Sequence, residues 1–237
     1  MNGSYPIDIN FDFRSDTPGY PRTDPDALSP TLRRYHKLLW SKPLPNGEHF
    51  LLSDTTPGAY LHHSSSLGEF WLASDTVVPT FRKESRYFGL FERHPEELSS
   101  FRRAVYSIGG MMLFPANRVG RKMTINGARG FHPRIKDRFD HTVECIRRHY
   151  REERSPLSEP LKRYADFFSL FGDFRGYVEF FLLQDLVTED CSAVKFFTPF
   201  ADFTTSPLPA NIEAYRAYRQ LATEFIEARN RRILLSG

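Results

Sequence analysis

A chain of 237 residues that is 40% hydrophobic and carries 22 Phe is not a disordered chain, because disordered chains are poor in aromatics. Its formal charge of +3 is too mild to argue for a polyanionic partner; only local clustering of charge would do that. Two cysteines, Cys145 and Cys191, exclude a disulfide framework and a four-cysteine zinc site, and reduced thiols in the cytoplasm are expected.

The opening residues MNGSYPIDINFDF show neither a basic n-region nor an apolar h-region, so no signal peptide is expected. No run approaches ~18 apolar residues, so no membrane span is expected. Residues 1–28 read as an irregular arm with turns at Pro18-Gly19 and Pro25-Asp26. The mixed charges of this arm, Asp12, Arg14, Asp16, Arg22, Asp24 and Asp26, suit either a cover over a pocket or a surface wrap. Ser29 and Pro30 then open a helix as N-cap and first helical residue, with Leu32, Tyr35, His36 and Leu39 at helical spacing. Pro43, Pro45 and the turn Asn46-Gly47 end it.

Short strands are expected at His49 to Ser53, Ala59 to His62 and Glu69 to Ala73, with Thr56-Pro57-Gly58 and Ser64 to Gly68 as turns. A helix begins near Pro95, where Glu96 and Glu97 favour the dipole, and Gly109-Gly110 ends it. Met111 to Phe114 and Arg121 to Ile125 read as neighbouring strands. Pro133 opens a helix with Ile135, Phe139, Val143, Ile146 and Tyr150 on one face. Ser155-Pro156 opens another. Phe174 to Leu186 is apolar on several sides and reads as a central helix. Ala193 to Phe197 suggests a short strand, and Pro199 to Pro209 a loop. A last helix from Ile212 ends near Arg229 to Arg232, where positive charge suits a C-terminus. The expected architecture is α+β: a small antiparallel sheet from the N-terminal half packed against helices mainly from the C-terminal half. One domain over 1–237 is expected, with an arm (1–28), a mixed region (29–131) and a mainly helical region (132–237).

The stretch MTINGARGFHPRIKDRF, Met123 to Phe139, carries the functional question. Asn126-Gly127 between two short apolar runs is a hairpin signal, since both residues tolerate positive φ. Around it lie Arg118, Arg121, Lys122, Arg129, Arg134 and Lys136, with no acid between Arg118 and Lys136. Gly127 and Gly130 let backbone approach a ligand, and a helix start at Pro133 would favour a phosphate. In this reading Arg129 clamps the anion, Asn126 orients it, Arg118 and Arg121 add charge, and His132 is the candidate catalytic acid or base. No standard phosphate-loop spacing is present.

Asp137, Asp140 and Glu144 share a helix face with His141 beside them. That set suits a hard cation. The helical wheel turns it toward water, and Glu144 meets Arg147 and Arg148 at ion-pair spacing, so no metal site is assigned. Arg147, Arg148, Arg151 and Arg154 read as a basic helix end. His62-His63 in a strand face opposite ways. Cys145 falls mid-helix and reads as packing.

The stretches SPTLRRYHKLLWSKPLPNGE, SIGGMMLFPANR, KMTINGARGFHPRIKDRFDHTVECIRRHY and DFRGYVEFFLLQDLV together resemble an uncharacterised family of bacterial and phage proteins, a domain of unknown function. The resemblance runs from Asp8 to Arg231. It implies a soluble bacterial or phage protein, and it brings no activity, cofactor or catalytic residue. Three readings stand. The first is binding of a phosphate-bearing ligand, a nucleotide or nucleic-acid end, with phosphodiester or nucleotide chemistry in phage conflict as one version. The second is a non-catalytic interaction protein, self-associating or binding a protein partner, whose aromatic surplus, Trp40 and Trp71 included, forms an interface. In the third, Arg129 and Asn126 only stitch the hairpin to the helices, with Arg129 paired to a buried carboxylate such as Asp185.

Overall fold

Capping residues place the first helices where the sequence puts them. In a computed structural model that describes residues 7–54 and 60–236, α1 (Pro25–Leu28) is capped by Asp24, whose carboxylate accepts from the Asp26 N–H. The expected turn at Pro25-Asp26 is therefore one helical turn. Ser29 caps α2 (Pro30–Trp40) by accepting from Leu32 N–H, and Leu32, Tyr35, His36, Leu39 and Trp40 face inward.

The strands β1 (Lys42–Pro43) and β2 (His49–Phe50) form a two-stranded ladder. The strands β3 (Leu61–Ser65), β4 (Gly68–Thr76) and β5 (Met111–Pro115) form a three-stranded antiparallel sheet in that order. The register pairs His63 with Phe70, and Thr76 with Met111. The expected strand start at Ala59 and the turn Thr56-Pro57-Gly58 lie outside the described residues, as does the beginning of the arm. The sheet is built wholly from the N-terminal half, as expected, and the fold is α+β.

Between β4 and β5 come α3 (Phe88–Arg93) and α4 (Pro95–Val105). After β5 come α5 (Ile125–Phe131), α6 (Phe139–Tyr150), α7 (Ser158–Lys162), α8 (Ala165–Ser169), α9 (Phe174–Phe180) and α10 (Ile212–Ser236). The segment Phe174 to Leu186 is not one helix. It breaks after Phe180 because Leu182 takes a left-handed φ of 56°, and a short 3-10 turn, Gln184–Leu186, follows. Ala193 to Phe197 contributes a single bridge, Val187 to Val194, rather than a strand.

The buried apolar residues make one cluster in which rings dominate. Phe50, Phe171, Phe180 and Phe181 pack edge-on or tilted, at centroid spacings of 4.9 to 6.1 Å. Trp40 lies inside this cluster with none of its surface exposed, so it is core and not an interface anchor. The last helix runs past Arg229 to Ser236, and Arg229 is buried rather than a solvated helix end. Its guanidinium donates to the carbonyls of Phe181 at 3.1 Å, Gly109 at 3.0 Å and Met111 at 2.6 Å. Asn230 accepts from Gly109 N–H at 2.7 Å. Together they pin the start of β5 to α10.

Candidate anion-binding site

Asn126-Gly127 does not turn a hairpin. Thr124 accepts from Gly127 N–H at 3.3 Å and starts α5, and Ile125 and Arg129, one turn apart, both face the interior. The expected strand from Arg121 to Ile125 is a 3-10 turn, Val119–Arg121, followed by this helix. With no strand on either side to pair, the hairpin has no ladder to close. Gly127 makes room for a side chain, not a ligand: a Cβ there would come within 2.6 Å of Met123 Cγ.

Arg129 is wholly buried. Its Nη1 donates to Asp75 Oδ2 at 2.6 Å, its Nη2 to the Asp137 carbonyl at 2.9 Å and its Nε to Thr142 Oγ1 at 3.3 Å. The guanidinium also lies 5.0 Å from the centre of the Phe114 ring. Its donors all face protein acceptors, so it does not clamp an outside anion. Its carboxylate partner is Asp75; Asp185 pairs with Arg232 instead. Asn126 keeps its Oδ1 shut from solvent with no partner.

No helix opens at Pro133. Residues 132–138 form a wound loop, with Lys136 and Asp137 at φ 48° and 61°, and α6 starts at Phe139. Arg129 holds this loop from inside, since Asp137 N–H also donates to the Arg129 carbonyl at 3.0 Å.

The acids of α6 do not face water as the helical wheel implies. Asp140 is fully buried, and Arg138 Nε donates to it at 2.8 Å while Phe197 N–H donates at 2.9 Å. Burial alone would raise the Asp140 pKa, but the Arg138 charge and hydrogen bonds hold it below the ordinary value. Glu144 is also buried, between Arg147 at 2.8 Å and Arg148 at 2.7 Å. These acids serve internal arginines, and among the described residues no group of three or more His, Cys, Asp or Glu is placed to hold a metal ion.

A second acidic set lies behind Arg129. Burial raises the Asp75 carboxyl to about 6, against the pull of the Arg129 charge. Burial, and then the charges of Asp75 and Asp24, raise Asp26 well above the ordinary range, and Asp26 Oδ1 has no hydrogen-bond partner. These groups join the arm, β4, α5 and the loop into one electrostatic knot.

Two arrangements that look nucleophilic are not. Ser74 Oγ is 2.9 Å from His36 Nε2, but Trp40 Nε1 donates to His36 Nδ1 at 3.0 Å. The proton of the neutral ring therefore sits on Nε2, which cannot take one from Ser74. Burial, then Arg229 and Arg33, push the His36 pKa down to about 3. The Cys145 thiol, wholly buried, is pushed up to about 12.

The surface outside Arg129 holds a groove of about 500 Å³ between the 132–134 loop, the end of α6 and the loop at Asp202 and Phe203. His132, Arg134, Arg148 and Arg154 line it. Arg148 is fixed by Glu144 and Asp202. The exposed side chains of Arg134 and Arg154 have no hydrogen bond or ion pair to the described residues. His132 Nδ1 accepts from Arg134 N–H at 3.2 Å, which leaves the proton of the neutral ring on Nε2. Burial, and then the Arg134 charge, lower its pKa.

Of the five residues the sequence assigns to the site, Arg118, Arg121, Asn126, Arg129 and His132, only His132 lines this groove; Arg134 from the basic run and Arg148 and Arg154 from the basic helix end line it as well. Arg118 and Arg121 are exposed ahead of the other end of α5, a helix about 10 Å long by its rise. Arg154 reads in sequence as helix-end charge, and only the approach of the 155–156 and 202–203 segments makes it part of a concave surface. A family model described as a family of unknown function, DUF6994, matches residues 7–233, and the chain belongs to that family. No curated protein and no solved structure matches it.

Proposed function

Within a family of unknown function, we propose that this chain binds a phosphate-bearing ligand, a nucleotide or nucleic-acid end, in the groove lined by His132, Arg134 and Arg154. One observation carries the reading. Arg134 and Arg154 reach one concave surface without internal acids to neutralise them, whereas Arg129, Arg138, Arg147 and Arg148 are all paired. A guanidinium offers parallel donors that match a phosphate. Neutral His132 adds an Nε2–H donor. Because that nitrogen already carries its proton, the arrangement favours holding an anion over taking a proton from a nucleophile.

Arg129 supports this site without touching the ligand. By bonding the Asp137 carbonyl it sets the path of the loop that presents His132 and Arg134. Thermal shift and calorimetry with ATP and with inorganic pyrophosphate test the reading. Wild type should bind and be stabilised by several degrees near saturation, and the double variant Arg134→Glu/Arg154→Glu should lose the effect. Equal binding by the double variant, or none by wild type, overturns it.

A further inference from the structure

Phe131 ends α5 with 79% of its surface exposed, the most exposed aromatic side chain among the described residues. The next residue, His132, lines the groove. Lys136, on the loop that follows α5, and Arg118, Arg121 and Lys122, ahead of its other end, are exposed, and none is hydrogen-bonded or ion-paired through its side chain to the described residues. No acid occurs between Arg118 and Lys136. The next acid in sequence, Asp137, lies against the internal Arg129, with Oδ1 4.0 Å from Nε, and the acid that lines the groove, Asp202, is paired with Arg148.

We infer that the ligand is single-stranded nucleic acid, with a base stacked on the Phe131 ring and the phosphate of the same nucleotide held at Arg134 and Arg154. The inference rests on the anion-binding reading of the groove and names the ligand class. An exposed ring one residue before a groove that holds the unpaired Arg134 and Arg154 matches the way unpaired strands are held: cations take the backbone, and a flat side chain takes a base face. A duplex buries its base faces in its own stack and cannot use Phe131. An anionic membrane would also meet cations and an apolar side chain. A concave groove lined by the residue next to a single exposed ring suits discrete phosphates better than a plane of headgroups. Residues 131 to 134 span at most ~11 Å, since successive Cα atoms are ~3.8 Å apart, and a nucleotide bridges that interval between base and phosphate.

Fluorescence anisotropy of a labelled short oligothymidylate separates the possibilities. Competitors are the matching duplex, inorganic polyphosphate and phosphatidylserine vesicles. Wild type should prefer the single strand, with affinity falling as salt rises. Phe131→Ala should lose about tenfold in affinity for oligothymidylate and keep its affinity for polyphosphate, and Phe131→Trp should retain binding. If Phe131→Ala binds the strand as wild type does while Arg134→Glu/Arg154→Glu does not, stacking is refuted and the anion site stands. Preference for the duplex or for vesicles also refutes the inference. If wild type binds no phosphate-bearing probe, the groove reading fails and takes this inference with it.

Discussion

Arg129 Nη1 lies 2.6 Å from Asp75 Oδ2, and the two residues are 54 positions apart in the chain. The arginine is sealed, while the aspartate side chain keeps 23% of its surface in solvent. Removing the arginine leaves a carboxylate facing the core and strips the Asp137 carbonyl of its donor. Because Asp75 is partly wet, Arg129→Met should cost about 3 kcal/mol, the low end for breaking a buried pair. Urea unfolding measures it. The double variant Arg129→Met/Asp75→Asn should recover part of the loss, and a single variant as stable as wild type would show that the pair holds nothing together.

Asp26 makes stability depend on pH. Its folded pKa lies above the unfolded value near ~4, so its contribution is full below that value and is lost as pH rises through the folded pKa. Asp75, raised to about 6, acts in the same direction. Asp140 and Glu144, held low by arginines, act the other way and are lost in acid. Asn imitates a protonated carboxyl, so Asp26→Asn should gain on wild type steadily as pH is raised from about 5 to 8. A constant difference across that range in denaturation midpoints would contradict the assignment.

Arg229 has three carbonyl partners and no carboxylate, and burial pushes its pKa down to about 9. Arg229→Met fills much of the volume but leaves those carbonyls without donors. A loss of about 3 kcal/mol is expected, seen as a fall in Tm of roughly 6–12 °C. An unchanged Tm would mean that α10 and β5 are held by apolar packing alone.

Two glycines should respond differently to the same change. At Gly109 a Cβ would meet the Ile226 carbonyl at 2.5 Å and Asn230 Oδ1 at 2.6 Å. Neither the helix backbone nor a bonded amide can yield cheaply, so Gly109→Ala should destabilise by about 3 kcal/mol. At Gly127 the obstacle is the flexible Met123 side chain, exposed by 49%. Alanine also favours helix by about 1 kcal/mol over glycine, so Gly127→Ala should be near neutral. Paired chemical denaturation curves decide the contrast.

Arg134→Glu/Arg154→Glu should leave Tm within about 4 °C of wild type, because exposed changes without partners fall within roughly 0.5 kcal/mol each. The binding loss expected of this variant is then not a folding defect. A large fall in Tm would show that the two arginines are structural after all.

What could be read from the residues in order was local. Ser29 before Pro30, and Pro95 before two glutamates, announce α2 and α4 because caps and dipole charges act within one turn. Met111 to Phe114 announces β5, and the failure of strands and helices to alternate announces α+β. The basic run from Arg118 to Lys136 was equally legible as charge. Which of its members face solvent was not. Ile125 and Arg129 share a helix face, but only Asp75, brought beside them by the sheet, turns that face inward with an arginine on it. Asp140 and Glu144 look solvated on a helical wheel, and arginine partners make them interior. Arg154 becomes a candidate ligand only where distant loops fold beside it. Periodicity and capping depend on neighbours a few positions away, so the sequence carries them unaided. The fate of a charge depends on its counter-charge and on access to water, and both come from segments that only the folded chain places together.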